Sequence, residues 1–310
     1  MQTLLGAGGS VGNELAKALL SYTDKIRIVS RKPQKVNATD EVLAADLTQR
    51  ADVMEAVKGS EVVYLIVGYP YSAKTWQVMW PKTMRNVLDA CAVHKAKLVF
   101  FDNIYMYSAD HLAPMDEQTP HNPSSKKGKI RKEIVDMLWS DVKAGKVEAL
   151  IARSADFYGP GLERNGVLRD TVIKPLSKGK TAMWMKALEY KHSYTYVPDA
   201  AKATALLGNS PEAYGQSWHL PTASNPLTGS EWVEMIAKEF GVKAKVRTIS
   251  NFMLKLMGIF VAVMREVPEM NYQYDRDYIF DSSKIESKFG LTPTPYLEGI
   301  RTIIKEDYST

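Results

Sequence analysis

The sequence predicts an α/β fold in which a doubly wound parallel sheet is followed by a smaller C-terminal α/β region. Short apolar runs without polar alternation recur in the first half of the chain, as in parallel strands that are buried on both faces. Helical patterns lie between these runs, and a glycine-rich turn follows the first one. The predicted division is residues 1–155 and 156–310, with segments near 156–220 partly interleaved with the first region.

The predicted strands of the first half are rich in Val, Ile, Leu and Phe and occupy residues 3–5, 26–29, 62–67, 98–101 and 149–152. The predicted helices between them occupy residues 11–20, 50–58, 74–94 and 126–143. In the second half, strands at 181–185, 193–197 and 217–220 are mixed with helices at 199–207, 229–240 and 296–305. Residues 252–264 predict an apolar helix that docks on the protein or covers a pocket, or else lies in a membrane interface.

The composition is that of a soluble globular protein, with 45% hydrophobic and 24% charged residues among 310. A net charge of +5 is mild, so nucleic acid is not an expected partner. The most apolar window, residues 252–264, is shorter than the roughly 20 residues that a membrane span needs, so no membrane partner is expected either. The one cysteine, Cys91, excludes an intrachain disulfide and, with no signal-peptide pattern at the start, favours the cytoplasm. The five histidines show no metal-binding spacing, and no metal is expected.

The glycine-rich turn after the first strand is the most informative segment. Its glycines at 6, 9 and 12 allow a sharp turn, a close approach of the backbone to a pyrophosphate, and tight packing of helix on strand. The following helix presents free N–H groups to phosphates. The turn therefore predicts a Rossmann-type dinucleotide site, with candidate cofactor-binding residues Gly6, Gly8, Gly9, Ser10, Val11 and Gly12.

The same turn leaves a second interpretation open. Residues 8–12 also fit G-x-S-x-G, the nucleophile elbow of α/β-hydrolases, which would make Ser10 a nucleophile. Such an enzyme requires a downstream acid and histidine, and His192 and His219 are available. An elbow at the first strand, however, leaves no earlier strand to help form an oxyanion hole.

The end of the second strand favours NADP(H) over NAD(H). Ser30, Arg31 and Lys32 follow it, and no acidic residue is present to bind a free ribose 2′-OH. The alternative is a solvated basic turn. Asp46, after the apolar residues 42–45, is placed to contact the adenine amino group.

Several further segments are similar to the extended short-chain dehydrogenase/reductase family, also called the NAD-dependent epimerase/dehydratase family. They are Ala45-Asp46-Leu47, LVFFDNIYMYS at 98–108, RSADFYGPG at 153–161, Tyr196-Val197-Pro198-Asp199, and Asp281-Ser282-Ser283-Lys284 with the following Phe289-Gly290 and Pro293. The resemblance implies an NADP-dependent oxidoreductase, epimerase or dehydratase. It also implies a hydroxy or carbonyl substrate such as a nucleotide sugar, and pairing as a homodimer. It adds Leu47, Val67 and Arg153 to the cofactor-binding candidates, and it places Asp102, Tyr107, Asp156 and Tyr158 at a substrate pocket.

The chain departs from the family at its catalytic positions. The family uses Ser or Thr together with Tyr-x-x-x-Lys, and the matching positions here are Asn103, Lys127 and Arg131. Arg131 is a permanent cation suited to the cofactor ribose, and the Lys127 ammonium can donate a proton. Asn103 can donate a hydrogen bond to a substrate carbonyl, and Tyr105 offers a phenol. Lys127, Asn103 and Tyr105 are the candidate catalytic residues. The alternatives are a solvated basic helix face and a catalytically inactive NADP(H)-sensing module.

Overall fold

The computed structural model describes residues 1–162 and 166–309. Its strands, in chain order, are β1 Gln2–Leu5, β2 Ile26–Ser30, β3 Glu41–Ala44, β4 Val62–Leu65, β5 Lys97–Asp102, β6 Ala149–Arg153, β7 Asp156–Tyr158, β8 Ala182–Met185, β9 Lys191–His192, β10 Tyr194–Tyr196, β11 Ser217–His219, β12 Leu227–Thr228 and β13 Val246–Ile249. Its α-helices are α1 Ser10–Leu19, α2 Arg50–Val57, α3 Ala73–His94, α4 Lys126–Lys143, α5 Lys174–Leu176, α6 Val197–Gly208, α7 Gly229–Glu239, α8 Asn251–Phe260, α9 Ser283–Phe289 and α10 Tyr296–Ile303.

The chain divides into two compact units. The first unit comprises Met1–Met106, Lys127–Ser154 and Pro198–Leu220, and the second comprises Tyr107–Lys126, Ala155–Val197 and Pro221–Thr310. Both units are therefore assembled from separate stretches of the chain.

The first unit is built on a seven-stranded sheet with the order β11-β6-β5-β4-β1-β2-β3, in which all neighbours are parallel. The order reverses between β1 and β4, which is the switch point of a doubly wound sheet. Every residue of β1, β4 and β6 is buried, including the polar Gln2, Thr3 and Arg153, as expected for parallel strands that are covered on both faces. The predicted doubly wound, Rossmann-type parallel sheet is thus confirmed.

Two long helices of the first unit bury residues that matter for the site. Ser72 caps the amino end of α3 by accepting a hydrogen bond from the Thr75 N–H, and the helix buries Trp76 and Trp80. α4 buries Ile130, Ile134, Val135 and Leu138 at helical spacing, and Lys127 and Arg131 lie among them on the same face.

The second unit packs an aromatic core between short strands and helices. β10 pairs with β7, β13 with β8, and β12 with β9. α7 starts with a capping box in which Thr228 and Glu231 satisfy each other's backbone N–H groups. The core side chains include Trp184, Tyr194, Trp232, Tyr274 and Tyr296.

The predicted long elements agree with the structure to within a residue or two, and the shortest strands were missed. The strands missing from the prediction have at most four residues each: β3, β7, β9, β12 and β13. The predicted helix at 252–264 is α8 followed by a short 3₁₀ turn, Ala262–Arg265. Within the described residues, the helices are too short or too polar to cross a membrane.

Candidate cofactor site and active site

The glycine turn between β1 and α1 is tight on one side and open on the other. Gly6 has φ +92°, and a Cβ built there would lie 2.4 Å from the Cα of Val67. A Cβ at Gly12 would lie 3.1 Å from the backbone of the same turn. At Gly8 and Gly9, in contrast, an added Cβ meets no atom within 4 Å. Gly6 and Gly12 are therefore required by packing, whereas Gly8 and Gly9 border open space.

The open side of the turn coincides with the amino end of α1. Gly9 is the N-cap with extended backbone, φ −107° and ψ 172°, and no side chain caps the helix. Ser10 and Val11 form the first turn, so their N–H groups precede the first intrahelical bond, from Asn13 N to Gly9 O. A helix end with free N–H groups beside a cradle without side chains fits the pyrophosphate of a dinucleotide.

Two cationic residues follow β2, close to the Asp46 carboxylate, which is hydrogen-bonded within its own loop. Ser30 is half-buried, and Arg31 and Lys32 are exposed. Asp46 accepts hydrogen bonds from the Thr48 N–H at 2.9 Å and the Thr48 hydroxyl at 2.8 Å. These bonds, helped by the charge of Arg31, hold the pKa of the Asp46 carboxyl below its usual value. Asp46 is thus a fixed anion within the electrostatic reach of Arg31.

The loop after β3 is fastened to α3. The carbonyl of buried Leu47 accepts a hydrogen bond of 3.1 Å from the Asn86 side chain. Because this bond joins the loop to a long helix, the position of Asp46 and Leu47 is set by the fold rather than by a ligand.

A buried charge cluster lies at the carboxyl ends of β5 and β6. Asp102 Oδ1 accepts hydrogen bonds from both Nε and Nη2 of Arg131, the first at 2.8 Å. Arg153, the partner of Asp102 in the sheet register, places its Nε 3.6 Å from Asp102 Oδ2. The Arg131 guanidinium also lies over the Trp80 ring, with its Cζ 4.2 Å from the ring centroid. Arg131, which is 3% exposed, is fixed from two sides.

Lys127 is buried one helical turn before Arg131. Its side chain is 0% exposed, and its Nζ lies 4.4 Å from the centroid of the Tyr71 ring. Tyr71 meets Trp76 edge to face at 5.8 Å, and Trp76 stacks on Tyr105 at 6.1 Å. Arg131 Cζ is 5.9 Å from the same Trp76 ring. Trp76 thus lies between Tyr105, Arg131 and Tyr71, and Tyr71 contacts Lys127. Because Lys127 and Arg131 are buried, the alternative of a solvated basic helix face is wrong for both.

Asn103 links the charge cluster to the loop that carries Tyr105. Its N–H donates to Asp102 Oδ1 at 2.9 Å, and its own Oδ1 accepts from the Tyr105 N–H at 3.1 Å. Since the side-chain oxygen is occupied by the backbone, the side-chain NH₂ is the group left to point towards a ligand. Asn103 is only half-buried, which suits such a role.

The second unit holds a histidine between two tyrosine rings. His192 is buried, and its ring stacks on Tyr274 at 4.4 Å and on Tyr278 at 4.3 Å. Its Nε2 lies 3.0 Å from Asp156 Oδ2, which also accepts from the Tyr274 hydroxyl at 3.1 Å. Burial raises the pKa of the Tyr278 phenol well above its usual value, so this ring stays neutral. Asp156 is therefore engaged by two side chains of its own unit.

Two residues expected at the substrate pocket are packed within the second unit. Tyr158 is buried against Tyr196 and Trp232, with ring centroids 5.2 and 5.9 Å away. Tyr107 is buried beside His121 at 5.5 Å. Contact of either ring with a substrate stays a prediction.

Sequence reasoning missed Tyr71 and gave Trp76 no role in a site. The signal that was available is the aromatic series at positions 69, 71, 76 and 80, directly after β4. A segment that follows a strand next to the switch point is a place where ligands bind in such sheets. His192 showed no metal-binding spacing in the sequence, and the structure shows it buried among aromatic rings.

The fold and the glycine turn define a Rossmann-type protein of the short-chain dehydrogenase/reductase kind. Residues 3–219 match the model of the NAD dependent epimerase/dehydratase family. The chain belongs to this family.

Known proteins similar to the chain are distant in sequence. Short-chain dehydrogenase/reductase family 42E member 1 of Danio rerio is 25% identical over 52% of this chain and 47% of its own length. 3beta-hydroxysteroid-dehydrogenase/decarboxylase isoform 2 of Arabidopsis thaliana is 24% identical over 84% of this chain and 51% of its own. The chain thus spans about half the length of these two curated relatives.

Among solved structures, a double mutant of a dTDP-glucose 4,6-dehydratase from Streptomyces venezuelae, with NAD bound, has a TM-score of 0.82. It is 13% identical, and the match covers 98% of this chain and 96% of that one. At this level of identity the likeness concerns the fold.

The family excludes the hydrolase interpretation of Ser10, and the geometry agrees. Ser10 follows β1, and His219 lies on β11, four strands away in the sheet order. At about 4.8 Å between neighbouring strands, that separation is roughly 19 Å, far beyond hydrogen-bond reach.

Proposed function

We propose that this protein is an NADP(H)-dependent oxidoreductase, or an epimerase or dehydratase, that acts on a hydroxy or carbonyl compound and uses Lys127 as its proton donor. The observation that carries the proposal is the complete burial of the Lys127 ammonium beside Tyr71, in the same aromatic group as Tyr105 and Arg131. Burying an ammonium is costly, so a position that retains one is a candidate for chemistry.

The first unit supplies the residues that would hold the cofactor. Open space at Gly8 and Gly9 and the N–H groups of Ser10, Val11 and Gly12 suit the pyrophosphate. Arg31, with Ser30 and Lys32, suits a 2′-phosphate, and Asp46 and Leu47 flank the adenine. Val67, which limits the space at Gly6, borders the same turn. A bound nicotinamide supplies hydride transfer.

Four side chains of the first unit share the catalytic and ribose-binding roles in this proposal. Lys127 donates a proton to the substrate oxygen, and the NH₂ of Asn103 donates a hydrogen bond to the same oxygen. Tyr105, stacked on Trp76, offers a phenol from another direction. Arg131 has three N–H groups beyond the two that Asp102 engages. These three are the donors with which it would contact the cofactor ribose, and Arg153 lies on the other side of Asp102, with its Nε 3.6 Å from Oδ2.

Lys127→Met tests the assignment, with NADPH binding and turnover of carbonyl compounds measured separately. The matched control is Lys129→Met, because Lys129 is exposed on the same helix. We expect turnover to fall by about 100-fold or more in Lys127→Met, the usual range for losing a general acid, while NADPH affinity stays within about threefold. Unchanged turnover would remove Lys127 from the mechanism.

A second candidate function is an NADP(H) sensor without turnover. The replacement of Tyr-x-x-x-Lys by Lys127 and Arg131 favours it, since the chain lacks the tyrosine and lysine pair with which the family transfers a proton. A screen of carbonyl compounds, nucleotide sugars among them, separates the two: NADPH oxidation supports the enzyme. Binding without turnover, coupled to a change in partner affinity, supports the sensor. Homodimerisation and a cytoplasmic location stay predictions.

A further inference from the structure

Helix α8 presents an apolar face to solvent. Phe252, Leu256 and Ile259 are 75%, 54% and 61% exposed, and their spacing of four and three residues places them on one side of the helix. Leu254, about 200° around the helix from Phe252, is buried, as is Gly258. The helix therefore packs on its unit through one face and exposes apolar side chains on the opposite face, where surface helices are normally polar.

The apolar face extends beyond Phe252, Leu256 and Ile259. Met253 is exposed beside Phe252, and Val261 and Val263 are exposed in the turn that follows α8. Single exposed apolar residues are common on proteins, but a run of six along one short segment is a patch of the kind that marks an interaction surface.

The same segment holds the whole net charge of the protein. Between residues 240 and 265 the sequence contains five cations and no Asp or Glu: Lys243, Lys245, Arg247, Lys255 and Arg265. The chain has 40 basic and 35 acidic residues, so the remainder is balanced. Lys243, Lys245 and Arg247 are exposed directly before α8.

We propose that α8 and the turn after it dock on an anionic lipid surface, with Phe252, Leu256 and Ile259 inserted below the headgroups and the basic residues before α8 facing the lipid charges. Ten helical residues span about 15 Å, half the hydrocarbon thickness, so the helix suits lying in the interface. Exposed cations next to an apolar stripe complement a membrane that is anionic at its surface and apolar beneath. The proposal is independent of the catalytic assignment and departs from the expectation that no membrane is a partner.

Vesicle co-sedimentation of the full chain tests the proposal. The probes are vesicles of phosphatidylcholine mixed with phosphatidylserine and vesicles of phosphatidylcholine alone. We expect binding to the mixed vesicles, about tenfold weaker binding to the neutral ones, and weakening as salt is raised. No binding to the mixed vesicles at low salt would overturn the proposal.

Two variants separate the apolar from the charged contribution. Phe252→Ser/Leu256→Ser/Ile259→Ser is expected to weaken vesicle binding by about tenfold or more, and Lys243→Gln/Lys245→Gln/Arg247→Gln to remove the preference for anionic lipid. The matched control is Val78→Ser/Val93→Ser, since these valines are 64% and 62% exposed on α3.

Three results would defeat the proposal. Vesicle binding of the serine variant equal to that of the wild type would contradict it, and so would an equal loss in the valine control. If light scattering shows that the serine variant is a monomer whereas the wild type is a dimer that ignores vesicles, the face belongs to a second copy of the chain.

Discussion

Replacing two glycines of the β1–α1 turn separates folding from cofactor binding. Gly9→Ala adds a methyl group where no atom lies within 4 Å, on backbone that any residue adopts. Gly6→Ala adds the same group at φ +92° and 2.4 Å from the Cα and Cβ of Val67. Because the pyrophosphate is proposed to occupy the space at Gly9, Gly9→Ala should weaken cofactor binding, whereas Gly6→Ala should lower the stability of the fold.

The expected magnitudes follow from these distances. For Gly9→Ala, a somewhat poorer helix cap and a less flexible unfolded chain nearly cancel, so the free energy of unfolding should change by less than about 1 kcal/mol. For Gly6→Ala, left-handed backbone costs about 1–2 kcal/mol and relief of the overlap with Val67 about 1–3 kcal/mol more. NADPH should bind Gly9→Ala at least about tenfold more weakly, which corresponds to about 1.4 kcal/mol.

Urea unfolding followed by circular dichroism measures the free energy of unfolding of each variant, and calorimetric titration measures its affinity for NADPH. Gly9→Ala with wild-type affinity for NADPH would show that the open space beside α1 is not the phosphate site. A Gly6→Ala variant as stable as the wild type would show that the backbone at residue 6 does not lie as close to Val67 as the structure has it.

Three further predictions concern buried or charged side chains. Asp102→Asn leaves two buried guanidiniums without their carboxylate and should lower the free energy of unfolding by about 3–5 kcal/mol. The double variant Asp102→Asn/Arg131→Met should lose at least about 1 kcal/mol less than the sum of the two single losses, and a loss equal to that sum would contradict a coupled cluster. Arg31→Ala should weaken NADPH binding about 10- to 100-fold and leave NADH unaffected, and an equal loss for both would refute the 2′-phosphate assignment. Burial raises the pKa of the Cys91 thiol from 9.0 to about 12, so its contribution to stability is present below pH 9 and lost as the pH rises towards 12. In urea unfolding, the free energy of unfolding of Cys91→Ala should therefore fall less steeply above pH 9 than that of the wild type, and identical pH profiles would contradict the burial of the thiol.

The sheet was predictable because most of its strands carry short apolar runs without polar alternation. β1, β4 and β6 are buried over their whole length, and such runs have few interpretations between helical patterns. β3 is an edge strand with mostly exposed residues. Its few apolar residues, 42–45, did not by themselves distinguish a strand from a loop, and the resemblance of Ala45-Asp46-Leu47 to the family was the further indication of a strand there. Two-residue strands such as β9 are held by pairing with distant segments, which a local pattern does not show.

The burial of Lys127 and Arg131 could have been predicted from the sequence. Ile130, Ile134 and Leu138 define the inner face of α4, and Lys127 and Arg131 fall on that face by the same spacing. The density of lysines around them left a solvated helix face open as an alternative. The contact of Lys127 with Tyr71 was not predictable, because it joins α4 to a loop more than 50 residues earlier in the chain.

The stacking of His192 between Tyr274 and Tyr278 depends on tertiary contacts of the same kind. These residues lie about 80 positions apart and are joined by an isolated bridge between His192 and Tyr278. The sequence offered histidines without a metal-binding spacing, and that observation gives no information about stacking.

Calorimetric titration of the wild-type protein with NADP⁺, NADPH, NAD⁺ and NADH tests the central claim most directly. We expect saturable binding of both phosphorylated forms, at least about tenfold tighter than that of their unphosphorylated counterparts. Tighter binding of NAD(H) would contradict the assignment of Arg31. The absence of heat and of thermal stabilisation with all four would contradict the dinucleotide site itself.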